Sequence, residues 1–146
     1  GLSFSLILLI RNYDLNYLIY ILLITTMTDV FAYLTGYYIG EHKLCPTISP
    51  KKTIEGLIGG LAMGTFVAST FYFVVINSNM SLVLVIFITL FLSLIGQLGD
   101  LVFSSIKRTY NVKDYSSLIP GHGGILDRFD SLVFVSLAFI LFAGIL

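Results

Sequence analysis

The sequence predicts an all-α fold: a polytopic transmembrane helical bundle with about four complete spans and a partial one at its N-terminal end. Three observations predict it. Hydrophobic residues make up 57% of the chain and charged residues 11%, against about 25% charged in an average soluble domain; mean hydropathy is +0.97. Several apolar stretches reach the roughly 20 residues that a spanning helix needs. Finally, seven of the eight Lys and Arg residues gather in two loops or at their helix borders.

Taken in order, the partial span is Gly1 to Ile10, closed by the polar turn RNYDLN. Complete spans are expected from about Tyr17 to Gly40, Ile54 to Ile76 and Ser81 to Arg108. A last helix starts near Ile125 and runs to Leu146, complete if its polar first turn is counted. Gly1 is not an initiator methionine, and Leu2 to Ile10 is too short to span and lacks a basic n-region and a cleavage site. The expectation is a single membrane-embedded domain over residues 1–146, taken from a longer chain.

Charge placement orients the bundle. Lys43, Lys51 and Lys52 occupy one loop, while Lys107, Arg108, Lys113 and Arg128 flank or line the other; the opposite side has only Arg11 and a neutral NSNMS turn. By the positive-inside rule both basic loops face the cytoplasm, and the expected location is the plasma (inner) membrane. Net charge is zero, so nucleic-acid binding has no electrostatic support. Cys45 is the only cysteine and cannot form an internal disulfide.

The third helix repeats small residues at intervals of four, Gly56, Gly60, Gly64 and Ala68. Such a stripe lets another helix approach closely and also permits a helix-mediated homodimer. No Gly-Lys-Ser/Thr follows it and no strand is expected before it, so it does not read as a phosphate-binding P-loop.

Acids inside apolar helices are costly and usually mark a functional cavity or an ion path. Asp29 lies midway along its segment by count, with Tyr33, Gly36 and Gly40 on the same helical stripe. A structural hydrogen bond to a neighbouring helix is the plain alternative. Asp100 has Ser104 and Lys107 at i+4 and i+7, with Arg108 alongside and Gln97 and Gly99 before it. That grouping reads either as a distant pairing of Asp100 with Lys107 or as a carboxylate for a divalent cation with basic groups for phosphate nearer the water.

The stretch LIPGHGGILDRFD, residues 118–130, supplies a second polar cluster at a helix entrance. Asp127 and Asp130, three apart, can share one helical face, and oxygen ligands of this kind suit magnesium. Gly121, Gly123 and Gly124 allow backbone amides to approach an anion. His122 can bind phosphate, act in acid/base chemistry or make a structural hydrogen bond. Asp100 ends one helix and Asp127 begins the next, so the two carboxylates can share one depth. With Lys107, Arg108, Lys113 and Arg128 around them, they fit metal-assisted phosphoryl or nucleotidyl transfer.

The string SSIKRTYNVKDYSSLIPGHGGILDRFD is more specific still. It resembles the signature of the phosphatidate cytidylyltransferases, or CDP-diacylglycerol synthases, matched here by Ser104, Ile106, Lys107, Arg108, Lys113, Asp114, Pro120, Gly121, His122, Gly123, Gly124, Asp127, Arg128 and Asp130. Two further blocks are similar to that family, TDVFAYLTGYYIGEHKLCPTISPKKTIEG and GQLGDLVFSSIKR. The likeness runs from about Thr28 onwards, to the C-terminal portion of a family whose members are longer and have more N-terminal helices.

The resemblance implies the reaction of CTP with phosphatidate in the membrane to give CDP-diacylglycerol and pyrophosphate. It implies that Asp100 and Asp127 hold a divalent ion, magnesium with or without a second cation. Lys107 and Arg108 would bind phosphates, and Asp130 would support the metal or orient Arg128. Ser49, Lys51, Lys52 and Thr53 would lie near CTP or the lipid headgroup, with Ser104, Lys113, His122, Gly123, Gly124 and Arg128 as further substrate contacts. The alternatives are an ion-coupled transporter relaying through Asp29, Asp100 and Asp127, which needs acids spread through the membrane depth, and an inactive remnant of the enzyme.

Overall fold

The computed structural model describes residues 2–76, 79–111 and 126–143, with the backbone alone at 2–4, 13 and 126–130. Five α-helices and one small hairpin follow in the order α1 (Leu2–Tyr13), α2 (Leu15–Tyr38), β1 (Lys43–Cys45), β2 (Ser49–Thr53), α3 (Ile54–Phe71), α4 (Leu82–Thr109) and α5 (Leu126–Phe142). Three helical segments, Leu15–Tyr38, Ile54–Ile76 and Leu82–Thr109, are long and apolar enough to cross a membrane, and Ser131–Phe142 is a shorter apolar one. The chain is an all-α membrane bundle, and each expected span has its helix.

Two helix ends carry features that the sequence did not predict. The polar stretch after Ile10 is not a loop: α1 runs on through Arg11 and Asn12, and only Asp14 leaves helical geometry. One residue suffices because the Asp14 carboxylate accepts from Asn16 N at 2.9 Å, capping α2, while its own amide donates to Ile10 O at 3.1 Å. At the other boundary the third span ends in a π-helical stretch, Tyr72–Ile76.

The loop between α2 and α3 folds as an antiparallel hairpin, pairing Lys43 with Thr53 and Cys45 with Ser49. Its tip is closed by Ile48 N donating to Cys45 O at 3.2 Å. Its base is clamped by Glu55 in the first turn of α3. One carboxylate oxygen accepts from the amides of Glu41 and His42 at 3.3 Å each, and the other from His42 Nδ1 at 2.6 Å. Arg108, at the end of α4, donates Nε to Ile48 O at 3.3 Å.

α2 and α3 make the most extensive helix pair, and the small-residue stripe explains it. Gly56, Gly60, Gly64 and Ala68 are all buried. A Cβ at Gly56 would fall 2.6 Å from Ala32 O, and one at Gly64 would fall 2.3 Å from Thr28 Oγ1. The helix admitted by the stripe is therefore α2 of the same chain. On the far side, α4 and α5 meet where a Cβ at Gly99 would fall 2.6 Å from the Phe134 ring.

The half of the bundle away from the hairpin is closed by apolar side chains. Tyr20, Ile24, Tyr72, Ile88, Leu92 and Val135 are fully buried there. Two interhelical hydrogen bonds cross that interior, Tyr20 Oη with Thr89 Oγ1 at 2.6 Å and Thr28 Oγ1 with Ser93 Oγ at 2.7 Å. Buried hydroxyls between membrane helices need such partners, since lipid offers none.

Candidate active site

The end of the bundle that bears the hairpin is hollow, with a cavity of about 380 Å³. The hairpin and helices α2, α3, α4 and α5 meet around it for local reasons. Thr53 ends β2 and caps α3 at once, its hydroxyl accepting from Gly56 N at 3.1 Å, so the strand feeds the helix with no linker. Gly36 of α2 and Gly40, just past its end, lie so close that a Cβ at either would meet Thr53 Oγ1, at 2.8 and 2.7 Å. Gln97 of α4 donates Nε2 to Leu57 O at 3.2 Å, joining the opposite wall to α3.

Among the described residues, two carboxylates line this cavity, Asp29 on α2 and Asp100 on α4. Each stands nine residues before the end of its helix on the hairpin side, about 14 Å of helical rise in both cases. They share one depth, and Asp29 is not an isolated mid-membrane acid. Asp100 is ion-paired with Lys52 from β2, both half-buried. Lys51, Ser49 and Thr53 of the same strand also line the cavity, as does Ser131 of α5.

The structure thus gathers Ser49, Lys51, Lys52, Thr53 and Asp100, all singled out in the sequence, around one space. The partner it shows for Asp100 comes from the other basic loop, a pairing that the helical spacing of Lys107 did not suggest. Ser104, Lys107 and Arg108 stand farther along α4, outside the cavity lining, with Arg108 reaching the hairpin tip. Asp127, Arg128 and Asp130 lie on the first turns of α5, where the backbone alone is described. Asp127 precedes the cavity residue Ser131 by four positions, which helical periodicity places on one face. Lys113, His122, Gly123 and Gly124 lie outside the described residues.

Four polar cavity residues stand outside the site assigned from the sequence: Asp29, singled out there only as an intramembrane acid, and Tyr33, Gln97 and Ser131. Their signals were present, in the i, i+4 spacing of Asp29 with Tyr33 and the i, i+3 spacing of Gln97 with Asp100. What the sequence lacked was which neighbour each stripe faces.

The donor chemistry suits a hard cation. No cluster of three or more His, Cys, Asp or Glu occurs among the described residues. The cavity instead offers carboxylate oxygens with hydroxyl and amide neighbours, and magnesium commonly takes one or two carboxylates and completes its shell with water and phosphate oxygens.

Comparison with known sequences now decides the family. The profile of the cytidylyltransferase family matches residues 1–146. The chain belongs to the cytidylyltransferase family. Among its relatives, the phosphatidate cytidylyltransferase of Staphylococcus aureus (strain COL) is 51% identical over 136 residues, 92% of this chain and 52% of the relative. The phosphatidate cytidylyltransferase of Staphylococcus haemolyticus is 47% identical over 135 residues, again 92% and 52%. That of Bacillus subtilis (strain 168) is 46% identical over 138 residues, 92% of this chain and 51% of the relative. The chain spans about half the length of the curated relatives it matches.

Proposed function

We propose that this chain is the membrane-embedded catalytic domain of a phosphatidate cytidylyltransferase, transferring the cytidylyl group of CTP to phosphatidate and releasing pyrophosphate. The observation that supports it best is the Lys52–Asp100 pair. It joins two motif blocks that are remote in sequence, Ser-Pro-Lys-Lys-Thr and Gly-Asp-Leu, at one cavity that also holds Asp29.

In this reading a phosphate oxygen of phosphatidate attacks the α-phosphorus of CTP, and the bond from that phosphorus to the bridging oxygen of pyrophosphate breaks. The nucleophile is already ionised, so no strong general base is needed. The difficulty is bringing two anions together. Lys51 and Lys52 on the hairpin, with Lys107, Arg108, Lys113 and Arg128, would draw in and screen phosphate charge. Asp100 and Asp127, with Asp29 facing the same cavity, would hold magnesium, whose charge would offset that of the triphosphate. Ser49, Thr53 and Ser104 would donate hydroxyls to substrate oxygens, while His122, Gly123 and Gly124 would contact phosphate. Asp130 would orient Arg128 or support the cation.

Both basic loops would face the cytoplasm, where CTP is available, with the bundle in the plasma membrane. The gathering of Asp29 and Asp100 at one depth disfavours a proton relay, which needs acids spread across the bilayer. A homodimer would use faces other than the glycine stripe, because α2 covers that stripe. Zero net charge gives nucleic-acid binding no electrostatic support.

The test uses the full-length protein in detergent with magnesium, labelled CTP and phosphatidate, reading CDP-lipid formation. Asp100→Asn and Asp127→Asn should each abolish product while the protein still folds. Undiminished turnover in both would sink the metal assignment, and ion flux with no lipid product would support a transporter instead.

A further inference from the structure

We propose that Lys52 is a built-in counter-cation for Asp100, one that a divalent ion must displace and that a substrate phosphate then receives. The proposal rests on the reading that Asp100 holds the metal, and goes beyond it by giving one lysine two alternating partners.

The geometry supplies the argument. Lys52 Nζ and the Asp100 carboxylate are in contact, and both side chains are only partly exposed, 29% and 27%. Charges so enclosed are costly when left alone, so each needs the other while the cavity holds no ligand. The described lining of the cavity has two carboxylates, Asp29 and Asp100, and two ammonium groups, Lys51 and Lys52. Its formal charges balance.

A divalent ion arriving by itself upsets that balance. It competes with Lys52 for the same oxygens and adds a dication beside two lysines with no phosphate to receive them. A divalent ion arriving with a nucleotide triphosphate does not: the ion takes Asp100, and the lysine finds a phosphate oxygen. Lysine suits such an exchange, being a point charge on a flexible four-carbon stem rather than a planar fork fixed to one carboxylate. The backbone beneath it is anchored, through the Thr53 cap and the Arg108 contact to Ile48 O, so the side chain can swing without carrying the strand away. Metal and phosphate binding are thereby coupled, each favouring the other, as linkage requires.

The test titrates Mn2+ into the full-length protein in detergent, without nucleotide, and reads free ion by electron paramagnetic resonance. Lys52→Met should bind Mn2+ about three- to tenfold more tightly than wild type, because the competing charge is gone. Lys52→Arg, which retains the charge, should stay within about twofold of wild type. Hydrogen exchange of the hairpin amides on the same samples should stay constant with Mn2+ in wild type and in Lys52→Met, because only the side chain moves. Equal or weaker Mn2+ binding by Lys52→Met, or a wild-type hairpin whose exchange changes with Mn2+, overturns the exchange. Asp100→Asn separates the two levels. If it binds Mn2+ as wild type does, the metal assignment fails and the exchange with it; if it loses affinity while Lys52→Met is unchanged, only the exchange fails.

Discussion

Gly60 of α3 faces the carbonyl oxygen of Thr28 on α2 so closely that a Cβ at position 60 would fall 2.7 Å from it. Backbone is met here, not a side chain that can turn away, and Thr28 is the residue before Asp29. Gly60→Val should therefore lose about 1–3 kcal/mol of stability through overpacking. Gly60→Ala should lose less, since alanine regains up to about 1 kcal/mol of helix propensity. Ala62→Val, on the exposed side of the same helix, should stay within about 0.5 kcal/mol of wild type. Unfolding of the purified protein in mixed micelles measures all three.

The hydrogen bond between Thr28 and Ser93, 2.7 Å and fully buried, ties α2 to α4 just below the cavity. Thr28→Val and Ser93→Ala should each destabilise. The double variant should fall short of their sum by about 0.5–2 kcal/mol, the coupling energy of such bonds between membrane helices. Strict additivity in the same unfolding assay would mean that the two hydroxyls do not hold each other.

Thr53 links strand to helix, so its loss should be felt in both. Thr53→Val keeps the shape but removes the cap that accepts from Gly56 N, and should cost about 1 kcal/mol. Thr53→Ser should retain most of that stability. Thermal unfolding distinguishes them, and CDP-lipid formation should follow the same rank because Thr53 lines the cavity.

Asp29 offers a sharper functional outcome. It shares the cavity and the depth of Asp100, so Asp29→Asn should lower turnover about 10- to 100-fold, as supporting groups around a metal do. It should also raise the magnesium concentration needed for half-maximal rate. Chelation with EDTA should silence the wild type, and added magnesium should restore it. An Asn variant with wild-type turnover and magnesium dependence would remove Asp29 from the site.

Much of the bundle was legible because the long spans are written in composition. Residues 15–38, 54–76 and 82–109 are apolar over more than a membrane thickness, and nothing but a helix satisfies the backbone there. Asp100 and the Ser-Pro-Lys-Lys-Thr residues were legible through their motif. The hairpin was not, since SPKKT shows no apolar alternation and becomes a strand only by pairing with Lys43–Cys45. The six-residue polar stretch after Ile10 misled for the opposite reason: Arg11 and Asn12 suggest a loop, yet capping by Asp14 confines the break to one position. The stripe at Gly56, Gly60 and Gly64 announced a close helix neighbour without saying whose, and Asp29 joined the site through a choice of neighbour that only three-dimensional packing makes.

Since Thr53 both ends the strand and caps the helix that follows it, hairpin register and helix phase are a single degree of freedom. One residue added or removed between Lys52 and Gly56 would turn α3 by about 100° relative to the strand, and Lys52 could not meet Asp100 while Gly60 met Thr28. Length changes are therefore forbidden at that junction. The exposed tip residues Pro46 and Thr47 are under no such constraint, and a peptide tag or probe inserted there would leave the cavity walls where they stand.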